Sequence, residues 1–220
     1  MHPDRREFIE RMAAGAAVVS GASFLSPSPT SAQGQPAWDL SWVDRIKGSH
    51  RAVFDSTEIE DGAGLLRSMI WKMQYAEVLH ASADDMTAVV VIRHSAIPLA
   101  MTQEFWDKYD IAKEKKVKNP MTEQPTKTNP VLLSADRGEL PAPMASLNLA
   151  GFLKGGGIAL ACNLAFGDCV RTIAKHDKVD DAEARKRGLA MLLPGIVLQP
   201  SGVFATIRAQ EAGCHYLKAS

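Results

Sequence analysis

Across 220 residues, 25 basic and 25 acidic side chains leave a formal net charge of zero. Such a chain has no global field to draw in nucleic acid or an anionic membrane. With aromatics at 6 % it also offers few platforms for stacked bases, so both partner classes are excluded.

In chain order, the first signal is Asp4-Arg5-Arg6-Glu7-Phe8-Ile9, followed by a soft apolar run from Met12 to Leu25 and by Thr30-Ser31-Ala32 ahead of Gln33. Paired arginines, a weakly apolar segment and a small-x-small cleavage site predict a twin-arginine leader over residues 1–32. The Tat export machinery would read it through Arg5 and Arg6. Asp4 and Glu10 depart from the residues such leaders usually carry. Gly15, Ser20, Gly21 and Ser23 dilute the run, which falls short of the roughly 20 apolar residues of a membrane span. No stable span is expected after cleavage, and the expected address is periplasmic or secreted. Export of an already folded domain with no cofactor motif suggests one that assembles, or loads a thiol, before leaving.

Residues 33–50 read as a polar N-terminal extension on the domain surface, and 51–220 as one α/β domain. Ala52-Val53-Phe54 is a short apolar run ending at Asp55-Ser56. Asp61-Gly62 opens a helix reaching His80, with Leu65, Leu66, Met69, Ile70, Met73, Ala76 and Leu79 on its inward stripe. Ala88-Val89-Val90-Val91-Ile92 is apolar at every position, as a strand covered on both faces must be. A helix is predicted from Gln103 to about Lys116, with Phe105, Trp106, Tyr109 and Ala112 inward. Apolar runs at 158–161 and 196–198, a helix from Val203 to Ala212 and a final strand at 215–217 complete the pattern. Short buried strands alternating with helices predict a three-layer α/β/α fold around a mainly parallel five-stranded sheet. Two insertions interrupt it. One, at about 114–145, is Pro-rich and of a length that usually covers a site, makes a subunit contact or is disordered; the other, at about 174–188, is charged and solvent-facing.

In open parallel sheets, sites form beyond the carboxyl ends of the strands. That rule collects Asp55, Ser56, His94, Ser95, Cys162, Asn163, Ser201 and Gly202 along one edge. A helix starting just beyond Asn163 would aim free N–H groups at the Cys162 sulfur and favour its thiolate. The plainer reading is a core cysteine ending an apolar strand. His94 is the candidate base or orienting group, and the rest are candidate ligand-binding residues. An odd number of cysteines in an oxidising compartment leaves at least one thiol unpaired, bridged between chains or chemically employed. Cys162 and Cys169 on one helix would stand about 10 Å apart, too far for a bridge unless Phe166-Gly167-Asp168 forms a turn. The histidines show no metal-ligand spacing, and Gly155-Gly156-Gly157 precedes a strand, closing a helix instead of cradling phosphate. Neither metal nor cofactor is expected.

Three ordered stretches carry a resemblance. They are Gly157-Ile158-Ala159-Leu160-Ala161-Cys162-Asn163, Leu192-Leu193-Pro194-Gly195-Ile196-Val197-Leu198-Gln199-Pro200-Ser201-Gly202-Val203, and Ile207-Arg208-Ala209-Gln210-Glu211-Ala212-Gly213-Cys214-His215-Tyr216-Leu217. With Val89 to Ala96 upstream, the set resembles the DsrE/DsrF-like family over residues 50 to 218, apart from the two insertions. The resemblance implies the three-layer fold, a homo-oligomer (a trimer or hexamer), and a strand-end cysteine that carries sulfur as a persulfide in some cytoplasmic members, matched here by Cys162. Export and the altered loop after Cys162 depart from that pattern.

Two functions follow as expectations: an exported sulfur carrier or thiol-redox protein using Cys162, and a non-enzymatic oligomeric protein that binds a small ligand or a partner at the same edge. A hydrolase built on Ser201 and His94 ranks last, because no nucleophile-elbow pattern exists.

Overall fold

Five strands, all parallel, form one sheet in the order β4-β3-β2-β1-β5. The computed structural model describes residues 38–220; the expected leader, with Arg5 and Arg6, lies outside the described residues. The strands are β1 (His50–Ser56), β2 (Met86–Ile92), β3 (Ile158–Cys162), β4 (Ile196–Gln199) and β5 (His215–Lys218). The first four each contain one of the apolar runs read from the sequence, and β5 is the expected final strand. β2 lies at the centre and is buried at every residue, which accounts for its unbroken apolar run.

The helices are α1 (Ala63–Leu79), α2 (Gln103–Lys108), α3 (Ile111–Lys115), α4 (Leu149–Lys154), α5 (Asn163–Asp177), α6 (Asp181–Ala190) and α7 (Gly202–Glu211). The first six connect β1 through β4 and pack on one face, over Phe54, Val90, Ile92, Phe105, Trp106 and Phe166. The other face, with Val53, Val89, Val91, Ile158 and Leu160, is covered by α7 and by a 3-10 turn, Ser41–Arg45. These are the three layers of an α/β/α fold.

Trp42, in that turn, is fully buried against the second face. Truncating an aromatic ring buried this deeply costs about 3–5 kcal/mol, so Trp42, with Ile46, pins the otherwise largely exposed segment 38–49 to the domain surface.

Two helical expectations are corrected. The stretch from Gln103 to Lys116 is two helices, broken at Tyr109 and at Asp110, whose φ of 51° is left-handed; the four inward side chains are nevertheless all buried. On α1, Leu65 is buried but Ile70, Met73, Ala76 and Leu79 are exposed. That half of the helix borders an open groove of about 290 Å³ shared with Met86, Leu147 and Phe152, so its apolar stripe has no layer above it.

The Pro-rich insertion is ordered. Asn129, fully buried, donates to the carbonyls of Leu99 (3.1 Å) and Met101 (2.8 Å), and Val131, Leu133 and Leu140 are buried. Val131 belongs to the core on the first face. The charged insertion is the helix pair α5 and α6, and Asp177 between them is held by Lys108 and Arg187 at 2.7 and 2.9 Å. Gly156, at a φ of +78°, closes α4 as expected.

Candidate functional site

Side chains alternate across a strand, so parity decides which strand-end residues meet. Val53 on β1, Val89 and Val91 on β2, Ile158 and Leu160 on β3 and Val197 on β4 all face the layer of α7. Two residues further on, the same face presents Asp55, Arg93 and Gln199, while Cys162, at the turn from β3 into α5, packs with the core of the first face. The register pairs Cys162 with Gln199 and Ala161 with Ile92, which sets Arg93 beside Cys162. Where β1 meets β5 the strand order reverses, because the chain runs β1 to β4 one way and returns through α7 to the other side. Open α/β sheets form ligand crevices at such switch points.

Cys162 ends β3 and caps α5. Its Sγ accepts the Ala165 N–H at 3.4 Å, and the residue is 6 % exposed. The sulfur thus stands at the amino end of a 15-residue helix. Asn163 is turned away, its Oδ1 accepting from Arg185 on α6 at 2.7 Å. Gln199 is buried; its Nε2 donates to the Asp39 carbonyl at 2.9 Å, while Oε1 has no partner among the described residues.

Beside the thiol, Arg93 and Asp55 form a two-point ion pair, with Nε to Oδ1 at 2.6 Å and Nη2 to Oδ2 at 2.7 Å. The Tyr216 hydroxyl donates to Oδ2 at 2.9 Å. Its hydrogen bonds to Asp55 hold the Arg93 pKa above its ordinary value; burial opposes this, and the charge of Asp55 adds to it. Burial, then the bond to Asp55, raises the Tyr216 pKa. The stem of Arg93 lies across Gly202, where a Cβ would sit 2.4 Å from Arg93 Cδ. Ser201 caps α7, its Oγ accepting from Phe204 N–H at 3.0 Å. Arg93, Asp55 and Tyr216 form the floor, and Val203, Thr206 and Ile207 of α7 one wall, of a cleft of about 330 Å³.

The remaining candidates lie elsewhere. His94 has a left-handed φ of 54° and a side chain 71 % exposed. Its Nδ1 is 3.2 Å from Ser95 Oγ and 3.9 Å from Glu58, and no hydrogen bond joins it to Cys162. Ser95 is exposed with it. Ser56 faces the opposite layer, where its Oγ packs against Gly64 so closely that a Cβ there would sit 2.6 Å away. Thus the structure brings Cys162, Asp55 and Gly202 together around Arg93, and leaves His94, Ser56, Ser95 and Asn163 outside. Arg93 and Tyr216 were missed by reading strand ends as a list; counting parity from Val89 and Val91 points to Arg93 instead of His94.

All three cysteines are free thiols. Burial pushes Cys169 up to about 12 and Cys214 up to about 11, the latter partly offset by Arg51. Among the described residues no group of three His, Cys, Asp or Glu side chains is placed to hold a metal ion, and no helix is long and apolar enough to cross a membrane. No protein-family model matches the chain, and a search of the curated proteins finds no match to it.

Proposed function

We propose that the chain is an exported thiol protein that carries sulfur, or exchanges disulfides, on Cys162. The observation that carries this reading is the placement of that sulfur at the amino end of α5, bonded by the Ala165 N–H and flanked by Arg93. The thiolate is the form that attacks sulfur, and both groups are donors that face it. In the transfer step Cys162 gives its proton to solvent, and its thiolate attacks the outer sulfur of a donor persulfide R–S–SH. The donor S–S bond breaks, Cys162 becomes Cys–S–SH, and R–S⁻ leaves to take up a proton. Passing the sulfur on reverses these events with an acceptor thiolate. The resemblance to DsrE/DsrF-like proteins and the twin-arginine leader support the sulfur chemistry and the address respectively. The exposed Ile70, Met73, Val78 and Leu79 of α1 suit a contact between copies in a trimer or hexamer.

The test is intact mass spectrometry of protein taken from its native compartment, with alkylation of the folded chain. An added sulfur or a mixed disulfide that disappears in Cys162→Ser is expected. Iodoacetamide should label Cys162 while Cys169 and Cys214 stay protected until the chain is unfolded. A Cys162 that resists alkylation in the folded protein, or a sulfur load unchanged in Cys162→Ser, sinks the reading.

A second reading, a binding protein without catalysis, is favoured by the cleft between α7 and β5, which Cys162 does not line.

A further inference from the structure

The cleft over the Asp55–Arg93 pair has a chemistry of its own. A guanidinium carries five N–H donors and no acceptor. Asp55 takes one from Nε and one from Nη2 along a single edge of the group. Nη1 and the outer N–H of Nη2, which form the adjoining fork, have no acceptor among the described residues. Arg93 lines the cleft with its side chain 27 % exposed. That fork has the geometry that takes a carboxylate or other oxyanion by two points.

The surrounding groups leave little else to recognise. Both Asp55 oxygens accept from Arg93, and Oδ2 also accepts from Tyr216. The Thr206 hydroxyl donates to the Gly202 carbonyl at 2.8 Å. With three of its roughly four acceptor sites taken and its charge paired with Arg93, the carboxylate leaves the floor rich in donors. The wall is open and mainly apolar, with Val203 64 % and Ile207 48 % exposed on adjacent turns of α7, and with the Gln210 amide at its far end. A volume of about 330 Å³ sits at the small end of the roughly 300–1,000 Å³ of ligand pockets.

We infer that this cleft binds a small organic anion, its carboxylate or equivalent oxyanion on the free fork of Arg93 and a compact apolar body against Val203 and Ile207. Three features support a built site and not an accident of the surface. The buried carboxylate of Asp55 fixes the guanidinium. Gly202 gives it room that a side chain would take. Ser220 anchors the turn after β1 by accepting, at its Oγ, the Thr57 and Glu58 N–H groups at 2.7 and 2.9 Å. The inference does not rest on sulfur transfer, since Cys162 stands outside the cleft.

The test titrates the full chain with 4-methylpentanoate, its uncharged amide and inorganic sulfate, followed by NMR of the Arg93 side-chain N–H and the Val203 and Ile207 methyl groups. Saturable shifts at all three residues are expected with the carboxylate, with affinity at least tenfold weaker for both the amide and sulfate. Arg93→Met and Ile207→Asn should each cost tenfold or more. Ile207→Asn, at an exposed helix position, keeps the test valid if Arg93→Met fails to fold. Equal binding of the amide would show that the fork is not used. Equal binding of sulfate would show that the wall is not used. Binding that survives Ile207→Asn, or methyl shifts that follow protein concentration instead of probe, would assign the surface to another role. Any of these results overturns the inference.

Discussion

Two buried carboxylates, Asp55 and Asp177, are each tied to an arginine and a tyrosine, yet they do different work. Asp177, its side chain 6 % exposed, gathers Lys108 at 2.7 Å, Arg187 at 2.9 Å, His176 at 3.0 Å and the Tyr109 hydroxyl at 3.2 Å. Those partners come from α2, the break after it, α5 and α6, so the knot locks three helices. Arg187 is tied back to Glu183 at 2.9 Å, and the cluster closes on itself. Asp55 instead sits at the switch point of the sheet, and its arginine still offers donors to a cleft. The comparison shows that an ion pair becomes a candidate site through what it leaves unbonded and where the topology puts it, not through its strength.

Breaking the Asp55–Arg93 pair tests the comparison hardest. Arg93→Met leaves a buried carboxylate without its partner and should destabilise the fold by about 3–5 kcal/mol, measured by urea unfolding. Adding Asp55→Asn should recover a large part of that loss, because no uncompensated charge remains. If the double variant is as unstable as the single, the pair is not the source of the effect.

A gentler change sharpens the point. Gly202→Ala places a methyl where Arg93 Cδ now lies, at 2.4 Å. Such overpacking costs about 1–3 kcal/mol. It should also move the Arg93 side-chain N–H signals, while the Asp177 cluster keeps its own. Wild-type stability and unchanged Arg93 signals in Gly202→Ala would show that the close approach has no consequence.

Asp177→Asn removes, at neutral pH, the stability its ionised carboxylate supplies, and should appear as a change in acid sensitivity. Hydrogen bonds from Lys108, and then His176, hold the Asp177 carboxyl well below its ordinary range, with Arg187 adding to them against the cost of burial. A depressed folded-state value means stability that is fully present above the unfolded value of about 3.9 and is lost as pH falls toward the folded value. Urea midpoints taken between neutrality and pH 3 should fall less steeply in Asp177→Asn than in the wild type. Parallel profiles would contradict the assignment.

Strands were legible in the sequence because burial on both faces forces unbroken apolar runs, and β2 is the clearest case. The carboxyl edge was legible as a set of residues, and the helix beyond Cys162 followed from the strand before it. Arg93 and His94 are adjacent at the end of β2, and parity along the strand, not the acid–base chemistry a histidine suggests, separates them. Tyr216 was not legible at all: it reaches Asp55 only because β5 pairs with β1, and strand order is not written in any local pattern. The break at Tyr109 and Asp110 was hidden for a similar reason. Helical spacing runs through it, and the turn aligns Tyr109 with Asp177, far along the chain. The ordering of the Pro-rich insertion depends on Asn129 and the carbonyls of Leu99 and Met101, again a tertiary fact.

The pairing of β5 with β1 also bears on how the molecule is made. Residues 52–55 find their partners at 215–218, so one edge of β1 stays open until almost the whole domain has left the ribosome. Closing so long a loop is slow and must precede any gain from the contact. Meanwhile an unpaired strand bearing Ala52, Val53 and Phe54 is the kind of edge that joins other chains. A polypeptide with this wiring gains from chaperone cover until the last strand has closed its sheet.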